Sequence, residues 1–245
     1  MSNIKETLKN VGKHVWELFK ASVPAGLMYL CASLILLVLT LKGEKIEWNN
    51  TNLLWSIVCC VGGLAYTGLV MWANGGQHYE MLVSGNIKRV TAEKYGSSYK
   101  ISSHVEAKEY RAWKGFVIGC FLAIGPIITA IIFGCNQEAI NAGLSGGALS
   151  VVVLICFFVS GWTILPFYYM NSAGIYANYF LSGLLGLLPI AVAGGFYIIG
   201  AYARRNKSIR QQEAASKAAA AQAQKEKEKK INYGALPGTK PKKRK

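Results

Sequence analysis

The stretch Val23-Pro-Ala-Gly-Leu-Met-Tyr-Leu-Cys-Ala-Ser-Leu-Ile-Leu-Leu-Val-Leu-Thr-Leu41 runs for nineteen residues without a charged side chain. About 20 apolar residues in helical form cover the roughly 30 Å of a bilayer's hydrocarbon, and an ionisable group at that depth is costly. The stretch therefore reads as a transmembrane helix. Similar gaps recur along the chain. No charge falls between Trp48 and Tyr79, where Leu53 to Ala73 is the apolar part and Trp55 and Trp72 stand where interfacial aromatics sit. Gly115 to Gly134 is a third gap, with Gly125-Pro126 in its middle, where a kink is expected.

Beyond Glu138 there is no charge until Arg204, and the two most apolar parts of that run are Ala148 to Met170 and Tyr179 to Tyr202. Between them, Asn171 to Asn178 is polar and uncharged and reads as an interfacial turn. The expected fold class is thus all-α, a polytopic integral membrane protein with about five transmembrane segments, near 23–41, 53–73, 115–134, 148–170 and 179–202. Composition agrees: 52% of the 245 residues are hydrophobic and 16% charged, where soluble domains carry about a quarter charged.

The sign of the charges orients the chain. Lys and Arg total 27 against 12 acids, a formal net charge of +15. They concentrate in residues 1–22, in the loop 74–114 and in the tail 204–245, while 135–147 and 171–178 carry none. Positive residues collect in cytoplasmic segments, so the amino terminus, the long loop and the tail all read as cytoplasmic. Five plain crossings conflict with that reading, because an odd number would separate the two ends. Two resolutions are open: four full spans plus one re-entrant segment, or six spans. Tyr179 to Tyr202, with Gly183, Gly186, Pro189, Gly194 and Gly195, is the expected site of a break. Irregular backbone at membrane depth survives only when buried in protein or lining water. The remaining alternative is that the charge rule fails here.

The flanks add three expectations. Residues 1–22 place Ile4, Leu8, Val11, Val15 and Leu18 at helical spacing, the pattern of an amphipathic helix lying in the interface plane or packed on the loop. Val105 to Trp113 is rich in helix formers and is expected to extend the third span. The tail 204–245, with fourteen basic and three acidic residues, is expected to be partly helical and partly disordered.

Little in the chain points to chemistry. All twelve acids are Glu, which disfavours Asp-bearing catalytic and metal-binding motifs. His78, Glu80, His104, Glu106 and Glu109 show no recognised ligand spacing, so no metal and no cofactor are expected. The six cysteines fall in or beside apolar runs and read as small membrane hydrophobes. No Ser/His pair, paired acids or HExxH motif lies at bilayer depth, so the chain is not expected to be an enzyme.

The leading expectation is a non-enzymatic membrane scaffold or accessory subunit. Its basic loop and tail would bind anionic lipid headgroups, a ribosome or another membrane protein, through Lys88, Arg89, Arg204, Arg205, Lys242, Lys243, Arg244 and Lys245. The alternative is a small-solute transporter or channel, lined by Trp162, Thr163, Tyr168 and Asn171. A bacterial plasma membrane is favoured, with the endoplasmic reticulum as the alternative.

Overall fold

The computed structural model describes residues 2–42, 45–46, 50–84, 109–142 and 147–233. Lys88, Arg89, His104, Glu106 and the terminal Lys242, Lys243, Arg244 and Lys245 lie outside the described residues. In chain order the elements are α1 (Ser2–Thr40), the two-residue strands β1 (Leu41–Lys42) and β2 (Lys45–Ile46), α2 (Asn50–Ser84), α3 (Trp113–Cys135), α4 (Gln137–Asn141), α5 (Ala148–Ser172), a 3-10 turn (Tyr179–Leu181) and α6 (Ser182–Tyr233). β1 and β2 pair antiparallel with Leu41 opposite Ile46. Among the described residues, α1, α2, α3, α5 and the helix from Tyr179 onward are long and apolar enough to cross a membrane. That matches the spacing of charges. A helix satisfies its backbone polar groups internally, the condition for a chain whose surroundings offer no water.

The chain divides into two units, Met1–Ala201 and Tyr202–Lys245. In the first, helix direction follows from residue pairings. At one end, here called proximal, His14 faces Trp113 with ring centroids 5.9 Å apart, and Leu18 packs with Met71, Ile118, Ala193 and Tyr197. At the other, distal, end Tyr179 Oη lies 2.9 Å from Asn141 Oδ1, and Phe180 crowds Gly134. Helix α3 thus runs from proximal to distal beside α1. The first part of α6 runs back antiparallel to α3: a Cβ on Gly183 would meet Ala130, one on Gly186 would meet Pro126, and one on Gly119 would meet Ile190. Helix α2 descends antiparallel to α1, with Gly63 against Tyr29 and Met71 against Leu18.

Helix α5 breaks this pattern. Ser160 leaves helical conformation at φ −137°, ψ 25°, and the rings of Phe157 and Tyr168 lie 5.3 Å apart. Eleven residues of straight helix would advance about 16 Å, so the chain must fold back at Ser160. The first half, residues 148–159, runs from the distal end to mid-bundle, where Val159 and Ser160 face Gly125. The second half returns distally, where Asn171 and Gln137 both bond Ala177. Each half is twelve residues, about 18 Å. Helix α5 is a hairpin, and the other four long helices run from end to end.

The expected break in Tyr179 to Tyr202 is therefore corrected: α6 is unbroken there, and the turn lies in α5. Apart from Gly195, whose Cβ would meet nothing within 4 Å, the glycines of α6 serve packing instead. Gly200 meets the backbone carbonyl of Trp72, and Gly75 of α2 meets that of Tyr197, contacts that leave no room for a Cβ. Two smaller corrections concern the proximal end. Residues 2–22 are the first part of α1, which continues through Pro24 to Thr40 as one helix. Helix α3 begins at Trp113, and Glu109 to Ala112 form a bend and a turn, so no helix reaches it from Val105 through those residues.

In the second unit, α6 remains helical to Tyr233. Ala, Gln, Lys and Glu, all good helix formers, dominate it, and its described side chains are mostly exposed.

Candidate functional site

The tip of the α5 hairpin is a polar place in the interior of the first unit. Ser160, Gly161, Trp162 and Thr163 are all buried there. The backbone leaves helix geometry at Ser160, so polar groups around the break draw on partners from elsewhere. Helix α1 supplies them. The Trp162 backbone N–H donates to Ser33 Oγ at 3.3 Å, and the Ser33 hydroxyl donates to the Tyr29 carbonyl at 3.0 Å. Trp162 stacks on Tyr29 with centroids 4.5 Å apart.

Helix α2 completes the dock. The Tyr29 hydroxyl lies 3.0 Å from Thr67 Oγ1, and the Thr67 hydroxyl donates to the Gly63 carbonyl at 2.9 Å. Within the tip, the Thr163 hydroxyl donates to the Ser160 carbonyl at 2.9 Å. Pro166 has no N–H for the carbonyl of Trp162 four residues before it. Ser160 Oγ is buried and has no hydrogen-bond partner among the described residues.

Beneath the tip, on its proximal side, a cavity of about 370 Å³ opens between α1 and α3. Phe19, Gly26 and Leu30 line one wall, Phe121 and Gly125 the other, and Trp162 closes the distal end. Its lining is largely apolar.

A second cluster sits at the proximal end. His78 Nδ1 lies 2.8 Å from the Tyr197 hydroxyl, Tyr110 stacks on Tyr197 at 5.4 Å, and the Tyr110 N–H donates to the His78 carbonyl at 3.2 Å. Lys114 is fully buried and donates to the Glu109 carbonyl at 2.5 Å. These contacts tie α2, α3 and α6 together. Among the described residues no three His, Cys or Glu side chains gather as metal ligands would.

The four residues expected to line a solute path separate in the structure. Trp162 lines the cavity, and Thr163 is buried beside it in the tip. Tyr168 packs on Phe157 within the hairpin. Asn171 fastens the turn that follows: its Nδ2 donates to the Ala177 carbonyl at 2.7 Å and its Oδ1 accepts from the Ala177 N–H at 2.9 Å. In the second unit, Arg204 is half-buried and Arg205 exposed. Sequence reasoning did not single out Tyr29, Ser33, Thr67 or Ser160. The signal available was a Tyr and a Ser four residues apart, hence on one face of an otherwise aliphatic helix.

Around the hairpin tip, among the described residues, the side-chain hydrogen bonds join hydroxyls to backbone carbonyls and to one another. What this arrangement can do is hold a bent backbone and a cleft at fixed depth. Compared with known proteins, the chain matches no family model, no curated protein and no solved structure.

Proposed function

We propose that the chain is a multi-pass integral membrane protein with four crossings and one re-entrant hairpin. On this reading it works as a non-enzymatic scaffold or accessory subunit that holds a basic tail against an anionic lipid surface. The supporting observation is helix direction. Helices α1 and α3 start at the proximal end, α2 finishes there, and so does the first unit at Ala201. An even number of crossings returns the chain to the face it left. The Lys and Arg of 1–22, 74–114 and 204–245 then fall on one face, as the positive-inside rule requires.

That face is the cytoplasmic one, in a bacterial plasma membrane by preference and the endoplasmic reticulum as the alternative. Arg204, Arg205, Lys207 and Arg210 follow closely on the last apolar segment. Basic residues so near an anionic surface gain about 1 kcal/mol each. A ribosome or a second membrane protein is the alternative partner for the same charges.

The test is a fluorophore on Ser216→Cys, in a cysteine-free background, with the full chain in nanodiscs. With anionic lipid present, the probe is expected to be held at the headgroups and released at about 1 M salt, where the screening length is about 3 Å. A probe equally free in anionic and purely zwitterionic discs sinks the lipid-binding reading.

The hairpin favours a second reading, a small-solute transporter or channel, since broken helices at mid-membrane are how many transporters build binding sites. That reading predicts flux in proteoliposomes which changes on Trp162→Ala. No flux over a broad solute panel removes it.

A further inference from the structure

We infer that the cleft beneath the hairpin tip is a binding site for one acyl chain of an anionic phospholipid from the lysine-bearing leaflet. The inference rests on the chain's placement in a membrane and is independent of the tail. Three observations carry it.

The first is depth. The cleft follows α1 from Phe19 to Leu30, eleven residues that rise about 16 Å. That is half of the roughly 30 Å hydrocarbon core, the depth of a single leaflet. Trp162 closes it where the leaflet ends.

The second is width. Counted out to its walls and including its open side, the cleft encloses about 850 Å³, which over about 16 Å is a cross-section of about 53 Å². A helix, at about 10 Å across, needs roughly 80 Å². An extended alkyl chain, about 4–5 Å thick by carbon contact distances, fits. The two glycines make this width: a Cβ at Gly26 would meet only Leu122, at 3.7 Å, and one at Gly125 would meet Val159 at 3.1 Å.

The third is the mouth. Phe19 stacks on Trp16 at 5.5 Å, and Lys20 Nζ stands 5.6 Å over the Trp16 ring while pairing with Glu17 at 3.3 Å. Lys9 and Lys13 are exposed on preceding turns of the same helix. An aromatic pair topped by ammonium groups suits the glycerol region and the phosphate of an anionic headgroup.

The experiment uses the full chain in liposomes containing an anionic phospholipid with a photoactivatable diazirine at mid-chain. Crosslinked peptides are read by mass spectrometry. Labelling of 19–30 and 121–126 should exceed that of the exposed Val58 and Leu69 of α2 severalfold, and unlabelled anionic lipid should compete better than zwitterionic lipid. Gly26→Leu, which fills the cleft from a position whose Cβ would make only an ordinary contact with Leu122, should reduce cleft labelling about tenfold, the consequence of excluding roughly two methylenes. Gly62→Leu, in open space on α2, should leave it unchanged.

Cleft labelling no higher than at Val58 and Leu69, or unchanged in Gly26→Leu, overturns the site. Crosslinks between two chains through Leu27 would give the cleft to a second copy and overturn the lipid. Equal competition by both lipids overturns the anionic assignment. The competition arm needs no variant, so misfolding of Gly26→Leu leaves the inference exposed to failure. Loss of tail contact in the Ser216→Cys experiment would leave these outcomes untouched.

Discussion

Tyr29 and Trp162 stack with ring centroids 4.5 Å apart, so the middle of the first long helix holds the tip of a hairpin encoded far downstream. The same pair of elements is joined by the Trp162 N–H on Ser33 Oγ. Aromatic stacking and a hydrogen bond from a buried backbone N–H reinforce each other at one place. The hairpin's conformation therefore depends on α1 as much as on its own sequence.

Truncating the anchor should loosen that dock. Trp162→Ala is expected to cost about 3 kcal/mol or more, the range for a fully buried large aromatic. Trp162→Phe, which keeps a ring against Tyr29, should cost less. Thermal unfolding in detergent, followed by a thiol-reactive dye on the chain's own cysteines, gives the comparison. Equal midpoints for Trp162→Ala and wild type would show that the stack contributes nothing.

The path of α5 is open to a direct labelling test. Single cysteines at Ala148 and Ala173, both exposed at the hairpin ends, should react from the same side of sealed vesicles. A cysteine at Lys9 should react from the opposite side. A plain crossing by α5 would instead put Ala148 and Ala173 on different sides, and that single result would remove the re-entrant topology.

Glycine substitutions should sort by what their Cβ would meet. Gly75→Ala and Gly200→Ala place a methyl against backbone carbonyls of Tyr197 and Trp72, which cannot rotate away, and should each cost about 1–3 kcal/mol. Gly62→Ala meets nothing within 4 Å and should be neutral or mildly stabilising through the greater helix propensity of Ala. Comparable losses at all three positions would contradict the packing described for α2 and α6. Unfolding midpoints measured under one detergent condition decide it.

Asn171 closes the turn between the hairpin and the last helix with two bonds to Ala177. Asn171→Ala should cost about 1–3 kcal/mol, because the Ala177 N–H and carbonyl are left with fewer partners. Asn171→Asp keeps the acceptor but sets a carboxylate oxygen against the Ala177 and Phe167 carbonyls, so its cost should be at least that of Ala. Faster amide exchange at Ala177 and Asn178 would accompany the loss. Unchanged exchange in Asn171→Ala would argue that water replaces the side chain at no cost.

The sequence made five apolar segments and the parity conflict legible, because bilayer energetics write themselves into charge spacing. It did not reveal which segment turns back. Ala148 to Ser172 has the length and apolarity of a crossing, and hydropathy records the solvent a segment meets rather than the path it takes. The local cue was Ser160-Gly161 before Trp162-Thr163, small and polar residues at the midpoint of an aliphatic run. The glycines of 183–195 misled because Gly permits two things, a turn and a close approach. Which one applies depends on Pro126, Ala130 and Phe116 across the interface. Likewise the dock needed Tyr29, Ser33 and Thr67 to be brought together from two helices, which no local pattern specifies.

The residues that receive the hairpin tip, Tyr29, Ser33, Thr67 and Gly125, all precede it in the chain. A ribosome making this protein therefore completes the receptor before it makes the piece to be received. When Ala148 to Ser172 emerges, apolar enough to be threaded straight through the bilayer, its folded alternative is already templated by the three helices synthesised earlier. On the proposed re-entrant topology the path of this segment is a matter of order of synthesis: the same segment placed ahead of α1 would have nothing to turn back against.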